Sequence, residues 1–431
     1  MITRVFTALL REYLDLFPVV ALIGSRQVGK STLVQDPAIG ANRRYVTLDD
    51  LSTRSLATAD PDGLLDWSER ITIDEVQLAP ELLRGIKRRV DTDRTPGRFL
   101  LTGSADLNTC ADLSHVLAGR VGVLRLPPIT CFESDGAQGE PLWSAFAREG
   151  SKACARALPA SPVYDWDRLL IGGFPLSLLA PSWRARTLWF ESFRSTYLER
   201  DLRRICDVGN LMGFARLMEL SATRTGQVLN QANLGRDAGI NAATTGRYLS
   251  VLEASFLIHR LPPYFENLGK RLVKSPKLYW EDTGLAGHLL GLDPDAIPRT
   301  HPALGPLFET AVIQEVRSLL PVFAPRARLY YVRSHDGLET DGLLQLGSRR
   351  VAFEVKASTT VKADDARGLT RWMSLSGRDE EGMVLYAGET IKPLTAKIWA
   401  VPLRARVSCW GEMHGAGSTE DGARVLCPEG A

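Results

Sequence analysis

What this chain can fold into is narrowed most by one short stretch near its start, ALIGSRQVGKSTLVQ, residues 21–35. The apolar run PVVALIG ends at Gly24, which predicts a buried strand running into a turn. Gly29 then leads directly into Lys30, Ser31 and Thr32, where a helix is expected to start. In the pattern G-x-x-x-x-G-K-[ST] the two glycines let the backbone wrap a phosphate. The amides of Ser25, Arg26, Gln27, Val28, Gly29, Lys30, Ser31 and Thr32 would face that phosphate at the start of a helix whose dipole favours an anion. Lys30 would reach the β- and γ-phosphates of ATP, and Ser31 would ligate Mg²⁺. By chance the pattern arises in a chain this long only about once in a hundred.

The partners such a loop needs follow in order. RITIDEV, residues 70–76, predicts a strand with two carboxylates at its C-terminal end, where ligands collect in open α/β sheets. Asp74 is placed to hold the Mg²⁺ water shell and Glu75 to orient the water that attacks the γ-phosphate. RFLLTGSADL, residues 98–107, predicts a third strand, whose Ser104, or Thr102 with it, would sense the γ-phosphate; a helix-capping role competes for Ser104. RRYVTLDD and VGVLRLPPI predict further strands, with helices between. Strand alternating with helix gives an α/β fold built on a parallel sheet.

GSRQVGKST, ITIDEVQLAPELL, FLLTGSADL and LAGRVGVLRLPP, in this order, resemble a prokaryotic family of AAA-type P-loop ATPases. Its members carry a C-terminal domain of unknown function with a restriction-endonuclease-like fold. The resemblance implies that Arg120, in LAGRV, lies near the nucleotide or at a subunit contact of a homo-oligomer; from the residues alone it is equally a surface arginine.

At 431 residues the chain exceeds what one hydrophobic core supports, so several domains are expected. A net charge of +2 gives no global pull toward nucleic acid or acidic membranes, and any basic surface must be local. The six cysteines show no CxxC pair, so neither disulfides nor a structural metal is expected. No apolar run is long enough to span a bilayer and the N-terminus lacks a signal-peptide pattern, which predicts a cytoplasmic protein without a membrane partner.

Residues 136–162, rich in Gly, Ala, Ser and Pro, read as a linker after a nucleotide domain at 1–135. Region 163–300 reads as helical, and GGFPL with WFESFRSTYLERDLRRI and KRLVKSPKLYW resembles the same family. Within it, residues 214–264 show the cadence of a winged helix-turn-helix. Its last helix would present Thr244, Thr245, Arg247 and Tyr248, with Lys270, Arg271, Lys274 and Lys277 as a basic cluster for DNA. Scaffolding without DNA is the competing reading.

Region 301–405 predicts a helix, three strands, a helix and further strands, a restriction-endonuclease-like α/β core. In VAFEVKAS alternation sets Val351, Phe353 and Val355 on one face and Glu354 and Lys356 on the other. Asp341, Glu354 and Lys356 fit the PD-(D/E)xK arrangement for a second Mg²⁺ or a Mn²⁺, with Glu309 as a fourth member and Glu315 competing for its place. An internal salt bridge without cleavage is the bland alternative. Residues 406–431 read as a mobile tail. Two functions remain: an ATPase that sets a winged helix and a nuclease-like domain on DNA, or a nucleotide-dependent switch whose C-terminal domain only binds or supports.

Overall fold

The computed structural model describes residues 2–104, 116–136, 138–158, 163–202, 209–264, 274–298, 300–334, 337–378 and 380–408. Five strands, β1 (Val19–Gly24), β2 (Arg44–Thr47), β3 (Ile71–Asp74), β4 (Phe99–Ser104) and β5 (Val121–Arg125), form a parallel sheet in the order β2-β3-β4-β1-β5. The central strands β1, β3 and β4 are buried on both faces, as a covered parallel sheet requires, while the edge strands β2 and β5 are partly exposed. Val19, Ala21, Phe99 and Leu101 face the core formed with helices Leu51–Ala59, Pro61–Leu65 and Glu81–Thr92. Val20, Leu22 and Leu100 face the opposite core. Because all five strands run the same way, Gly24, Asp74 and Ser104 gather at one edge.

Residues 136–162, expected as a linker, instead hold β6 (Glu140–Pro141), a helix Leu142–Glu149 and a 3-10 turn Gly150–Arg156. Trp143 and Phe146 are fully buried, and β6 pairs antiparallel with Arg406–Val407 near the far end of the chain. The small residues that gave the stretch its loop-like composition, Ser144, Ala145 and Ala147, are buried where this helix lies against the C-terminal sheet.

Downstream, helix Trp183–Thr196 buries Phe190 and Phe193. Helix Leu211–Ala222, β7 (Gln227–Val228), helices Gln231–Ala238 and Ala242–Ala254, β8 (Ile258–Leu261) and β9 (Lys277–Trp280) follow, the strands forming an antiparallel sheet β7-β9-β8. Asn230 and Asn241 cap the two helices by accepting from the amides of Asn233 and Thr244, and Gly239, at φ 72°, closes the first of them.

The C-terminal sheet comprises β10 (Arg328–Arg333), β11 (Glu339–Leu346), β12 (Arg349–Lys356), β13 (Glu381–Tyr386), β14 (Lys392–Pro393) and β15 (Ile398–Pro402), in the order β10-β11-β12-β13-β15-β14. Strands β10 to β12 are antiparallel neighbours, whereas β12, β13 and β15 run parallel. Val351, Phe353 and Val355 join the core that holds helix Leu304–Phe323, and Ala352 meets Leu369 and Trp372 on the other face. The strand β16 (Arg406–Val407) falls inside the expected tail; residues 409–431 lie outside the described ones.

One apolar core takes Val20 and Leu22 from the first sheet, Phe190 and Tyr248 from the middle and Leu319 and Phe353 from the C-terminal part. The three regions are therefore packed as one body. Among the described residues no helix is long and apolar enough to cross a membrane.

Candidate nucleotide site and C-terminal carboxylate cluster

The loop after β1 is shaped by steric necessity. A Cβ at Gly24 would lie 2.5 Å from the Leu126 carbonyl oxygen, and Gly29, at φ 99°, sits in the left-handed region directly before helix Lys30–Val34. Lys30 is 5% exposed, and its Nζ donates to the carbonyls of Gly24 at 3.0 Å and Ser25 at 2.9 Å, which holds it at the neck of the loop. Burial pulls its pKa down to about 8, against the pull of Glu75 and Asp74. Ser25 and Val28 are buried, while Gln27 and Thr32 are exposed and Arg26 is half-buried.

Ser31 Oγ donates to Asp74 Oδ2 at 2.8 Å, joining the loop to the end of β3. Tyr45 OH donates to the same oxygen at 2.6 Å, and Thr102 Oγ1 donates to Oδ1. Hydroxyls of Tyr45 on β2 and Thr102 on β4 thus hold the Asp74 carboxylate against Ser31 of helix Lys30–Val34. These two residues fit a Mg²⁺ ion, because hydroxyl and carboxylate oxygens converge on one point beside the phosphate loop.

Glu75 adopts φ 59°, a left-handed conformation that costs a non-glycine residue about 1–3 kcal/mol. Its amide donates to Thr102 Oγ1 at 3.2 Å. Ser104 Oγ donates to Glu75 Oε2 at 3.0 Å, and Gln77 Nε2 donates both to that oxygen and, at 3.1 Å, to Ser104 Oγ. The Ser104 hydroxyl thus orients Glu75, and the residues it could cap, 105–115, lie outside the described ones. Arg120 stands elsewhere: it precedes Val121, which pairs with Val19 at the start of β1, so its backbone lies six strand steps, about 20 Å, from Gly24. It pairs there with Asp91, as an ordinary surface arginine would.

The middle of the chain abuts the phosphate loop. A Cβ on Gly29 would come 3.6 Å from Pro175 Cγ, and Ile129 N donates to Gly173 O at 2.7 Å. Arg4 spans the same seam, donating to Val28 O at 3.2 Å and Pro127 O at 2.7 Å while paired with Glu133 at 2.9 Å. Deeper in, Glu281 (2% side-chain exposure) follows β9 and meets Arg125 at the end of β5 at 2.6 Å. It also meets Arg317 of helix Leu304–Phe323 at 2.8 Å and His259 of β8 at 3.2 Å. Burial works to raise the Glu281 pKa, but Arg125, Arg317 and His259 outweigh it and hold the carboxyl well below its usual range.

Glu309, Asp341, Glu354 and Lys356 come together around the start of β11 and the end of β12. Asp341 Oδ2 accepts from Val355 N at 2.8 Å, and Lys356 Nζ stands 3.7 Å from Glu354 Oε2. Burial, then Asp341, pushes the pKa values of Glu309 and Glu354 upward. Glu315 is placed differently: it accepts from the amides of Cys131 and Phe132, both at 2.8 Å, and caps helix Cys131–Ser134. Six residues separate it from Glu309, about 240° around the helix, so the two cannot share a site.

Lys277, expected in a basic surface cluster, is instead buried. Its side chain is 2% exposed, and Nζ lies 3.0 Å from Glu309, 3.0 Å from Glu339 and 3.4 Å from Asp341. Strand alternation on β9 points it inward. Tyr279, two residues on and therefore on the same face, donates to Glu309 Oε1 at 2.6 Å. The expected reading helix also differs in part: Thr245 and Tyr248 are buried, with Thr245 Oγ1 bonded to Asn241 O, while Arg247 and Lys274 are exposed and Thr244 is half-buried. At i, i+3, i+4 spacing Thr245, Tyr248 and Leu249 form that helix's inner stripe. Lys270 and Arg271 lie outside the described residues.

Tyr45, Gln77, Lys277, Glu339 and Arg4 were not singled out for these sites in the sequence. Tyr45 acts from the neighbouring strand and Lys277, Glu339 and Arg4 through partners in another part of the chain, while Gln77 stands only two residues from Glu75.

Comparison with known proteins matches residues 16–134 to the model of an AAA domain. Residues 166–296 match one domain of unknown function (DUF8612) and residues 304–405 a second (DUF4143). Among solved structures, a Walker-type ATPase of Pyrococcus abyssi is 16% identical, covering 67% of this chain and 96% of that one, with a TM-score of 0.41. A RuvB point variant of Thermotoga maritima is 20% identical, covering 60% of this chain and 86% of that one, with a TM-score of 0.25. The uncharacterized proteins Rv2008c of Mycobacterium tuberculosis and Mb2031c of Mycobacterium bovis are each 32% identical over 400 residues, 92% of this chain and 82% of theirs. With an AAA-type P-loop domain at its amino end and likeness running through all three regions, the chain belongs to the family of these mycobacterial proteins.

Proposed function

We propose that the chain binds Mg-ATP at residues 24–32 and hydrolyses it. The observation that carries the reading is the Ser31–Asp74 hydrogen bond at 2.8 Å, which brings a loop hydroxyl and a strand-end carboxylate to one point with Glu75 next in sequence. In this reading the loop amides and Lys30 hold the phosphates, and Ser31 and Asp74 hold Mg²⁺, which neutralises phosphate charge when bound. Glu75, fixed by Ser104 and Gln77, orients the attacking water and takes its proton. ATP turnover by the whole chain, with Glu75→Gln retaining ATP binding and losing turnover, tests this; equal turnover in the two would refute it.

The hydrolytic state is passed to the middle region through Pro175 against Gly29 and through Arg125 on Glu281. The succession of helix, β7, two helices, β8 and β9 supports a winged-helix module that meets DNA through Arg247 and Lys274. DNA binding whose salt dependence weakens in Arg247→Ala/Lys274→Ala would support that contact, and unchanged binding would remove it.

The order helix, three antiparallel strands, helix, strand supports an endonuclease-like core at 304–405. Here a second reading is favoured by a specific observation: the buried Lys277 ammonium among its carboxylates suits a binding or supporting role better than cleavage. A plasmid-nicking assay separates the two, since a working core would lose Mn²⁺-dependent nicking in Asp341→Ala.

A further inference from the structure

The carboxylates at the end of β12 and the start of β11 have the identities a divalent cation would use, but their surroundings do not suit one. Mg²⁺ or Mn²⁺ needs oxygens at about 2.0–2.3 Å with free lone pairs and no cation in the shell. Glu309 Oε1 already accepts from Tyr279 OH at 2.6 Å and lies 3.0 Å from Lys277 Nζ. Asp341 divides its oxygens between Val355 N at 2.8 Å and Lys277 Nζ at 3.4 Å. Among the described residues no group of three His, Cys, Asp or Glu side chains is arranged to hold a metal.

The ammonium cannot simply swing aside. Lys277 lies on the central strand of the β7-β9-β8 sheet, its backbone paired with Val228 and Leu261, and its Nζ stands 5.7 Å from the centre of the Tyr331 ring. Releasing it would strip a cation from Glu309 and Asp341, whose side chains are only 19% and 15% exposed, at a cost above that of a surface pair.

We propose that Lys277 is the resident counter-cation of this cluster: an ammonium donated by the middle region takes the place of a divalent metal, closes the site to Mg²⁺ and Mn²⁺, and ties β9 to the C-terminal sheet. The proposal is independent of ATP hydrolysis and holds whether or not the P-loop turns over.

The test is Mn²⁺ binding to the full chain without nucleotide, followed by electron paramagnetic resonance, for wild type, Asp341→Asn, Lys277→Met and Lys277→Met/Asp341→Asn. Wild type and Asp341→Asn should bind the same amount of Mn²⁺. Lys277→Met should gain one site per chain, at least tenfold tighter than any wild-type binding and absent from the double variant. Mn²⁺ bound by wild type and lost in Asp341→Asn would overturn the proposal, and this comparison needs no Lys277 variant to fold. A folded Lys277→Met that gains no Mn²⁺ would overturn it as well. Should Lys277→Met be stable only with Mn²⁺ present, that dependence supports the exchange of one cation for the other.

Discussion

Glu281→Gln removes one charge at the point where three regions meet. The carboxylate has 2% side-chain exposure and holds Arg125 at 2.6 Å, Arg317 at 2.8 Å and 3.0 Å, and His259 at 3.2 Å. Glutamine keeps the shape but leaves the Arg317 guanidinium without its counter-charge, and breaking a buried pair in this way costs about 3–5 kcal/mol. Unfolding entropy near 2.1 cal/mol/K per residue gives a 431-residue unit about 0.9 kcal/mol per kelvin, so the expected fall in Tm is about 3–6 °C. Differential scanning calorimetry of wild type, Glu281→Gln and Glu281→Gln/Arg317→Met measures it. The double variant should recover part of the loss, because it removes the uncompensated cation. A fall below about 1 °C, or a double variant as unstable as the two losses summed, would refute the assignment of Glu281 as an electrostatic hub.

Four further outcomes follow from the geometry. Glu75→Gln should lower kcat for ATP by at least about 100-fold with Kd for ATP little changed, and Lys30→Ala should lose binding itself; isothermal titration separates the two. Gln77→Ala should lower kcat by about tenfold without moving Kd, because it frees the Glu75 carboxylate without altering the phosphate loop. Gly24→Ala should abolish ATP binding and lower Tm, since its Cβ would meet the Leu126 carbonyl at 2.5 Å. Burial lifts the Glu315 pKa to about 7, above its unfolded value of 4.5. Its protonated form therefore adds stability that is complete below about pH 4.5 and lost as pH rises through about 7, amounting to a few kcal/mol at most. Urea unfolding should show this slope in wild type and a flatter one in Glu315→Gln.

The phosphate loop was legible because its chemistry is contiguous: two glycines, a lysine and a serine must be neighbours to wrap one phosphate. Asp74 and Glu75 were legible because a strand must end where they stand. Tyr45, which helps aim Asp74, carries no such pattern, since its hydroxyl becomes a positioning group only when the sheet sets β2 beside β3. In β12 the alternation of Val351, Phe353 and Val355 against Glu354 and Lys356 could be read directly. What could not be read was that Lys277, distant in sequence, would be the cation that Glu309, Glu339 and Asp341 hold. Composition misled at residues 136–162, where alanines and serines read as a loop but serve as the flat side of a buried helix.

Glu315 capping the amides of Cys131 and Phe132, together with β6 paired to β16, has an evolutionary consequence. The three regions cannot be exchanged among relatives one at a time. A chimera joined between residues 135 and 304 would have to inherit the acceptor for those amides, the partners of Glu281 and the acids around Lys277 from a single parent. Substitutions at these seams should therefore travel together through the lineage, and hybrid chains that mix parents there should fail before any question of activity arises.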